Sequence, residues 1–273
     1  MMQLDPRASA AGVRLVSHEV LASTNTEALT LARAGERGPL WVTAARQSAG
    51  RGRRGRSWVS EPGNLFASLL LTEPAPPEHW PELSFVAALA IHDAIADLAP
   101  SVRPQLAVKW PNDLLLGEAK FAGILSEAEG AGTMVVGIGI NCTSHPVDTD
   151  YPATDLAAAG VAVSAEAAFS KLSAKMIGRL AQWNQGEHFG TIRTDWLSRA
   201  AGLGGNISVR LPERELAGLF ETVDEAGRLV LVEPEGTRHA IAVADVVQLG
   251  WPKPRDEPRD EPRDEQSDRQ REG

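Results

Sequence analysis

The sequence predicts an α+β protein, a mixed sheet with helices packed on one face, followed by a small C-terminal β-barrel. Three observations lead there. Strand-like and helix-like runs interleave irregularly between Leu15 and Ala200, an order that suits a mixed sheet better than a regular doubly wound repeat. Short β-prone runs separated by turn residues crowd Ile207 to Leu249, a stretch small enough to depend on a larger body for stability. From Trp251 the chain becomes three Pro-Arg-Asp-Glu repeats and polar residues, with 8 acids and 6 bases up to Gly273. So little apolar surface cannot offset the entropy of ordering. The expected division is a main domain at 1–205, a β domain at 206–250 and a disordered charged tail at 251–273.

Taken in order, Leu15–Val20 reads as a strand and Thr24–Ala34 as a helix, with Thr24 and Glu27 at capping-box spacing. Leu40–Ala45 and Leu65–Leu71 read as strands. Ser84–Leu98 carries Phe85, Leu89, Ile91, Ile95 and Leu98 at helical spacing. Strands follow at Ala107–Trp110, Ile124–Glu127 and Thr133–Ile140, then helices at Ala165–Trp183 and Ile192–Ala200. The β domain is expected from Ser208–Leu211, Leu216–Thr222, Arg228–Val232, Arg238–Val243 and Val246–Leu249, with hairpin turns at Glu225-Ala226-Gly227 and Glu235-Gly236.

Composition narrows the function classes. A formal net charge of −9 argues against general binding to nucleic acid or anionic membranes. The single cysteine, Cys142, forms no internal disulfide, and no Cys/His spacing suggests zinc. There is no Gly-x-Ser-x-Gly elbow, no Walker loop and no apolar run long enough to span a bilayer. Met1 to Ala11 lacks the apolar region of a signal peptide. The expectation is a soluble, cytoplasmic protein without membrane contact.

Against that acidic background, Thr43 to Ser60 holds five arginines and no acid, and Gly50 to Trp58 reads Gly-Arg-Gly-Arg-Arg-Gly-Arg-Ser-Trp. Arginine forks match carboxylate and phosphate oxygens, while interleaved glycines let backbone N–H groups approach the same anion. The pattern suggests a loop that becomes ordered by closing over a substrate; a solvated Arg-Gly loop or a nucleic-acid contact has the same composition. Lys109-Trp110-Pro111-Asn112-Asp113 places polar groups at a strand end, although turn residues look alike. Lys120 precedes the apolar run Phe121 to Leu125, as a solvated flank also would. Gly137-Ile138-Gly139-Ile140-Asn141 ends a strand with glycines that permit close approach of a ligand. Ser23-Thr24-Asn25 opens a helix and is explained by capping or by a polar head group at the helix N-terminus.

In this order and spacing, Ser23 to Asn25, Gln47 to Arg56, Lys109 to Asp113, Lys120 to Leu125 and Gly137 to Asn141 resemble the catalytic core of biotin–protein ligases, and the resemblance runs from about residue 13 to residue 250. It implies a class II aminoacyl-tRNA synthetase-like core and an SH3-like C-terminal β-barrel. It implies adenylation of biotin by ATP, then transfer to a lysine of a biotin carboxyl carrier domain. Carried over residue by residue, Lys120 and Arg53 are the expected catalytic residues. Ser23, Thr24, Asn25, Gln47, Arg51, Gly52, Arg53 and Lys120 are expected at biotin. Arg53, Arg56, Trp58, Lys109, Asn112, Lys120 and Asn141 are expected at ATP and its Mg²⁺, with no dedicated protein-only metal site. Trp58 serves equally well as a core residue. Only 22 residues precede Ser23, too few for the DNA-binding winged helix of some relatives, so no repressor function is expected. Lipoate–protein ligases share a similar core, and an RNA-binding module would also use an arginine loop. The sequence leaves oligomeric state open, a homodimer being one compatible arrangement, and names no particular carrier.

Overall fold

The computed structural model describes residues 2–130 and 132–249; the expected charged tail lies outside the described residues. After a short helix α1 (Pro6–Ala10), the main body comprises β1 (Arg14–Leu21), α2 (Thr24–Arg33), β2 (Leu40–Gln47), β3 (Leu65–Thr72), α3 (Leu83–Leu98), β4 (Leu106–Lys109), β5 (Asp113–Leu116), β6 (Ala119–Glu129), β7 (Thr133–Ile140), α4 (Ala165–Trp183) and α5 (Phe189–Leu197). Its seven strands run in the order β1-β2-β3-β7-β6-β5-β4. Only β1 and β2 are parallel, joined by the crossover helix α2; every other neighbouring pair is antiparallel.

The sheet has helices on both faces, which corrects the one-sided expectation. Alternation along the strands sorts the core. Leu65, Ala67, Leu69 and Leu71 of β3, with Met134, Val136, Ile138 and Ile140 of β7, join the large cluster that holds α3, α4 and α5. Their intervening neighbours Leu70 and Val135 pack instead with Ala28 and Leu29 of α2 and with Leu40 and Val42 of β2. Because side chains alternate across a strand, these clusters lie on opposite faces. Helix α3 is buried on nearly every side, as its continuous apolar composition requires.

Sequence boundaries agree closely at β7 and α4. Strand β5 is absent from the expectation because its apolar run, Leu114 to Leu116, is interrupted almost at once by Gly117 at φ 61°. The capping box is not formed. Ser23, not Thr24, is the N-cap residue of α2, and the Thr24 hydroxyl turns to Gln47 and Ser68 on the sheet.

Five further strands, β8 (Asn206–Arg210), β9 (Glu215–Val223), β10 (Leu229–Val232), β11 (Arg238–Ile241) and β12 (Asp245–Leu249), form a separate antiparallel sheet in the order β11-β10-β9-β8-β12. Gly227 and Gly236 sit at φ 76° and 94° in its hairpins, where a side chain would be strained. The sheet adds Val209, Phe220, Leu229 and Leu231 to the same large core as α3. Trp110 Nε1 donates to the Gly227 carbonyl at 3.1 Å, and Ala201 N to the Val108 carbonyl at 2.8 Å. The second sheet is thus seated against the end of β4.

Candidate active site

On the α2 face, strand side chains shrink beyond the helix N-terminus. Val135 gives way to Gly137 and Gly139 on β7, Leu70 to Ser68 on β3, and β6 contributes Gly123. The result is a cleft of about 490 Å³ that reaches across to β12. The protein's own side chains use the room these glycines leave. A Cβ on Gly137 would lie within 2.1 Å of Asn25 Oδ1, and one on Gly139 within 2.5 Å of the Trp58 indole. The expected close approach to the strand therefore exists, but Asn25 and Trp58 make it.

At one end lie Ser23, Thr24, Asn25 and Gln47. Thr24 N donates to Gln47 Oε1 at 2.8 Å, Gln47 Nε2 to Ser60 Oγ at 2.9 Å, and Ser68 Oγ hydrogen-bonds both Thr24 Oγ1 and Asn25 Oδ1, at 2.7 and 2.5 Å. Asn25 Nδ2 donates to the Leu125 carbonyl and to Glu127 at 3.1 and 2.7 Å. Both amide hydrogens of Asn25 are thereby assigned, and its carbonyl is left as an acceptor. Ser23 lines the cleft while almost fully buried, and its hydroxyl makes no capping bond.

The other end is cationic. The arginine loop forms a small hairpin, with an Arg51–Ser57 bridge, Gly52 N donating to the Arg56 carbonyl at 2.7 Å, and a 3-10 turn at Arg53–Gly55. Protein carboxylates pair with its arginines. Arg51 meets Glu127 at 3.0 Å, while Arg54 and Arg56 meet Asp245 of β12 at 3.0 and 2.9 Å. Arg53 lies 3.7 Å from Asp245 and donates to Asn112 Oδ1 at 3.2 Å. Burial pushes the Arg53 guanidinium below its usual value, against the opposing pull of Asp245. Burial likewise lowers the Lys109 ammonium, with Asp113 raising it and Lys120 lowering it further. Among the described residues no carboxylate comes within ion-pair distance of Lys109.

Lys120 stands between the two ends. Its Nζ is 2.6 Å from Asp113 Oδ1, 5.4 Å from the Trp58 ring centre and 5.2 Å from that of Tyr151. Two aromatic faces and one carboxylate therefore hold the ammonium in place. Trp58 Nε1 is buried without a hydrogen-bond partner.

The cleft brings together Ser23, Thr24, Asn25, Gln47, Arg51, Gly52, Arg53, Arg56, Trp58, Lys109, Asn112 and Lys120. Asn141 is not among its lining residues. It is buried, and its Nδ2 donates to the Thr154 carbonyl at 3.0 Å, bracing the segment beside Lys120. Sequence reasoning missed Ser68, Glu127, Tyr151, Arg210 and Asp245. None lies in a glycine- or arginine-rich motif, and each reaches the site through tertiary contacts.

Fold and cleft together define an α+β protein whose cleft joins a hydrogen-bonded end to a cationic end. The family model described as Biotin/lipoate A/B protein ligase family matches residues 17–143, and that of the biotin protein ligase C terminal domain matches 202–248. A biotin–[acetyl-CoA-carboxylase] ligase of Paracoccus denitrificans is 42% identical over 82% of this chain and 96% of its own length. The Mycobacterium tuberculosis ligase of the same description is 32% identical over 83% and 86%. The solved biotin protein ligase of Aquifex aeolicus, in complex with biotin and ATP, shares the fold at TM-score 0.74 and 24% identity, covering 85% of this chain and 97% of that one. The chain belongs to the biotin/lipoate A/B protein ligase family, in its biotin–protein ligase branch.

Proposed function

We propose that the chain adenylates biotin with ATP and transfers the biotinyl group to a lysine of a biotin carboxyl carrier domain. The observation that carries this reading is the position of Lys120 between a neutral hydrogen-bonding end and a cationic end. In the first step a biotin carboxylate oxygen attacks the α-phosphorus of ATP, the α–β bridging bond breaks, and pyrophosphate leaves. Two anions must meet, so fixed cations that follow charge onto the leaving oxygen lower the barrier. Lys120 and Arg53 take that role, with Arg56 and Lys109 along the phosphates and Trp58 covering the nucleotide. In the second step the carrier amine attacks the acyl carbon, an amide forms, AMP leaves, and the amine's proton passes to solvent. Proximity to a reactive anhydride drives it without a dedicated base.

Ser23, Thr24, Asn25 and Gln47 hold the ureido ring, where the Ser23 hydroxyl, which makes no capping bond, and the neighbouring hydroxyl and amide groups match its donors and acceptor. Arg51, Gly52, Arg53 and Lys120 follow the valeryl chain to its carboxylate. Among the described residues no cluster of three metal-ligating side chains occurs. Asp113 and Asn112 would hold a Mg²⁺ that arrives on phosphate, exchanging for it their present contacts with Lys120 and Arg53. When bound, Mg²⁺ reduces the charge of the triphosphate. Asn141 supports the nucleotide end through Thr154. The division at 1–205 and 206–250, the synthetase-like and SH3-like descriptions of the two parts, and a cytoplasmic location belong to the same reading. Among the described residues no helix is long and apolar enough to cross a membrane.

The test is biotin-dependent exchange of labelled pyrophosphate into ATP with Mg²⁺, beside lipoate and no-ligand controls. Exchange with biotin alone is expected. Exchange only with lipoate moves the chain to the sister activity, and none with either removes the adenylation reading.

A further inference from the structure

A chain of hydrogen bonds links the Glu127 carboxylate on β6 to the Thr24 hydroxyl at the neutral end of the cleft, and the direction of each bond follows from the one before. Glu127 Oε2 and the Leu125 carbonyl, both acceptors only, take the two amide hydrogens of Asn25 at 2.7 and 3.1 Å. A planar amide fits its surroundings either way round by shape, so these two oxygens are what turn Nδ2 toward β6 and Oδ1 toward Ser68. Oδ1 carries no hydrogen, so the 2.5 Å contact is donated by the Ser68 hydroxyl, which spends its only hydrogen there. The 2.7 Å contact between Ser68 and Thr24 is therefore donated by Thr24. Thr24 lines the cleft with lone pairs and no hydrogen to offer a ligand. Beside it, Thr24 N fixes Gln47 Oε1 at 2.8 Å and Ser60 takes one Gln47 amide hydrogen at 2.9 Å, which leaves the second for a ligand acceptor.

We propose that Glu127 is a positioning residue that, through Asn25 and Ser68, makes Thr24 an acceptor and so selects a ligand whose ring presents N–H groups. Neither Glu127 nor the fully buried Ser68 is among the residues lining the cleft, so both act through Thr24. Were the Asn25 amide reversed, Nδ2 would donate to Ser68, Ser68 to Thr24, and Thr24 would present a hydrogen instead. That arrangement sets Oδ1 against the Leu125 carbonyl and the Glu127 carboxylate, and a charge-assisted bond is the stronger determinant of the two. Held in the observed sense, the pocket pairs with a cyclic urea N–H. A ring with oxygen at that position meets lone pairs with lone pairs, and a buried site pays heavily for polar groups left unpaired.

This inference rests on the reading of the neutral end as the ureido pocket, and it is tested without turnover. The probes are biotin and its isosteric carbamate analogue, in which oxygen replaces one ring N–H, each titrated into the full chain by calorimetry. The parent prefers biotin. Glu127→Met removes the charged acceptor and Ser68→Ala breaks the chain at its middle, and each is expected to reduce that preference by about tenfold while ATP affinity is retained. Glu127→Gln, whose side-chain oxygen still accepts from Asn25, keeps the parental ratio. Glu127 also meets Arg51 at 3.0 Å, a contact that Ser68→Ala leaves alone, so a loss shared by the two variants belongs to the chain. A parental ratio in either variant, with ATP affinity retained, overturns the proposal. A further measurement needs no variant: both Asn25 side-chain amide hydrogens are expected to exchange slowly with solvent in nitrogen-15 spectra of the parent. Fast exchange of either overturns the assignment of directions. Failure of the parent to bind biotin, by contrast, removes the ureido reading, and the Asn25 hydrogens still decide the directions.

Discussion

The two ends of the cleft are built on opposite principles. Around Asn25 the polar groups are mostly neutral and largely satisfied within the protein: both amide hydrogens of Asn25 have acceptors, one of them the Glu127 carboxylate, and Ser68, Thr24, Gln47 and Ser60 form a chain of hydrogen bonds that ends at the Trp58 carbonyl. Around Lys109 and Arg53 the charges do not balance, and burial disfavours both cations. The first end is rigid before any ligand arrives, because each bond assigns the direction of the next. The second is costly while empty and gains most when an anion enters.

Substitutions should separate them. Lys120→Ala should slow adenylation by about 10² to 10³-fold, the usual loss of a fixed charge-stabilising donor, a larger factor than the loss of biotin affinity measured by calorimetry, which reports only the contact with the carboxylate. A parallel collapse of biotin binding would break the distinction between the ends. Asn25→Ala removes one of the two partners of the Ser68 hydroxyl and a donor from Glu127. It should cost about 2 kcal/mol of stability and weaken biotin by about tenfold, with ATP affinity preserved; denaturant melts and titrations check both. Lys109→Met should do the reverse, raising stability by about 1 kcal/mol while weakening ATP.

The Lys109 case also has a signed pH dependence. Burial depresses its folded-state pKa below the unfolded value of 10.5, so the unfolded chain binds more protons between the two values. Its penalty is fully present below the folded pKa and is relieved as pH rises toward 10.5. The stability gain of Lys109→Met should accordingly shrink in melts at alkaline pH. The smallest effect is that of salt. Raising ionic strength from about 0.05 to about 0.5 M shortens the screening length several-fold, and should raise the KM for ATP a few-fold while leaving that for biotin nearly constant.

Much of this comparison was legible in the sequence, but unequally. Periodicity identified β7 and α4 at the bounds the structure gives, since both are long and regular. It did not tell which face α2 covers, because Leu70 and Val135 look no different in sequence from their neighbours Leu69 and Val136; only pairing register sorts them. Motif residues such as Arg53, Lys109 and Lys120 were found because the chemistry is concentrated locally. Glu127 and Asp245, which determine where the arginines point, are separated from the loop by 76 and by 189 to 191 positions and carry no local signature. Asn141 illustrates the converse: it stands in a motif, yet its side chain supports the backbone at Thr154 and does not line the cleft.

The placement of β12 bears on how the enzyme is made. Every residue of the neutral end lies in or before β7, which closes at Ile140, whereas the charged end is complete only when β12, beginning at Asp245, pairs with β8. A chain emerging from the ribosome N-terminus first can shape its neutral pocket more than a hundred residues before it can balance its arginines. Nascent protein is thus able to complete the hydrogen-bonded end of the cleft well before β12 supplies the carboxylate that its arginines pair with.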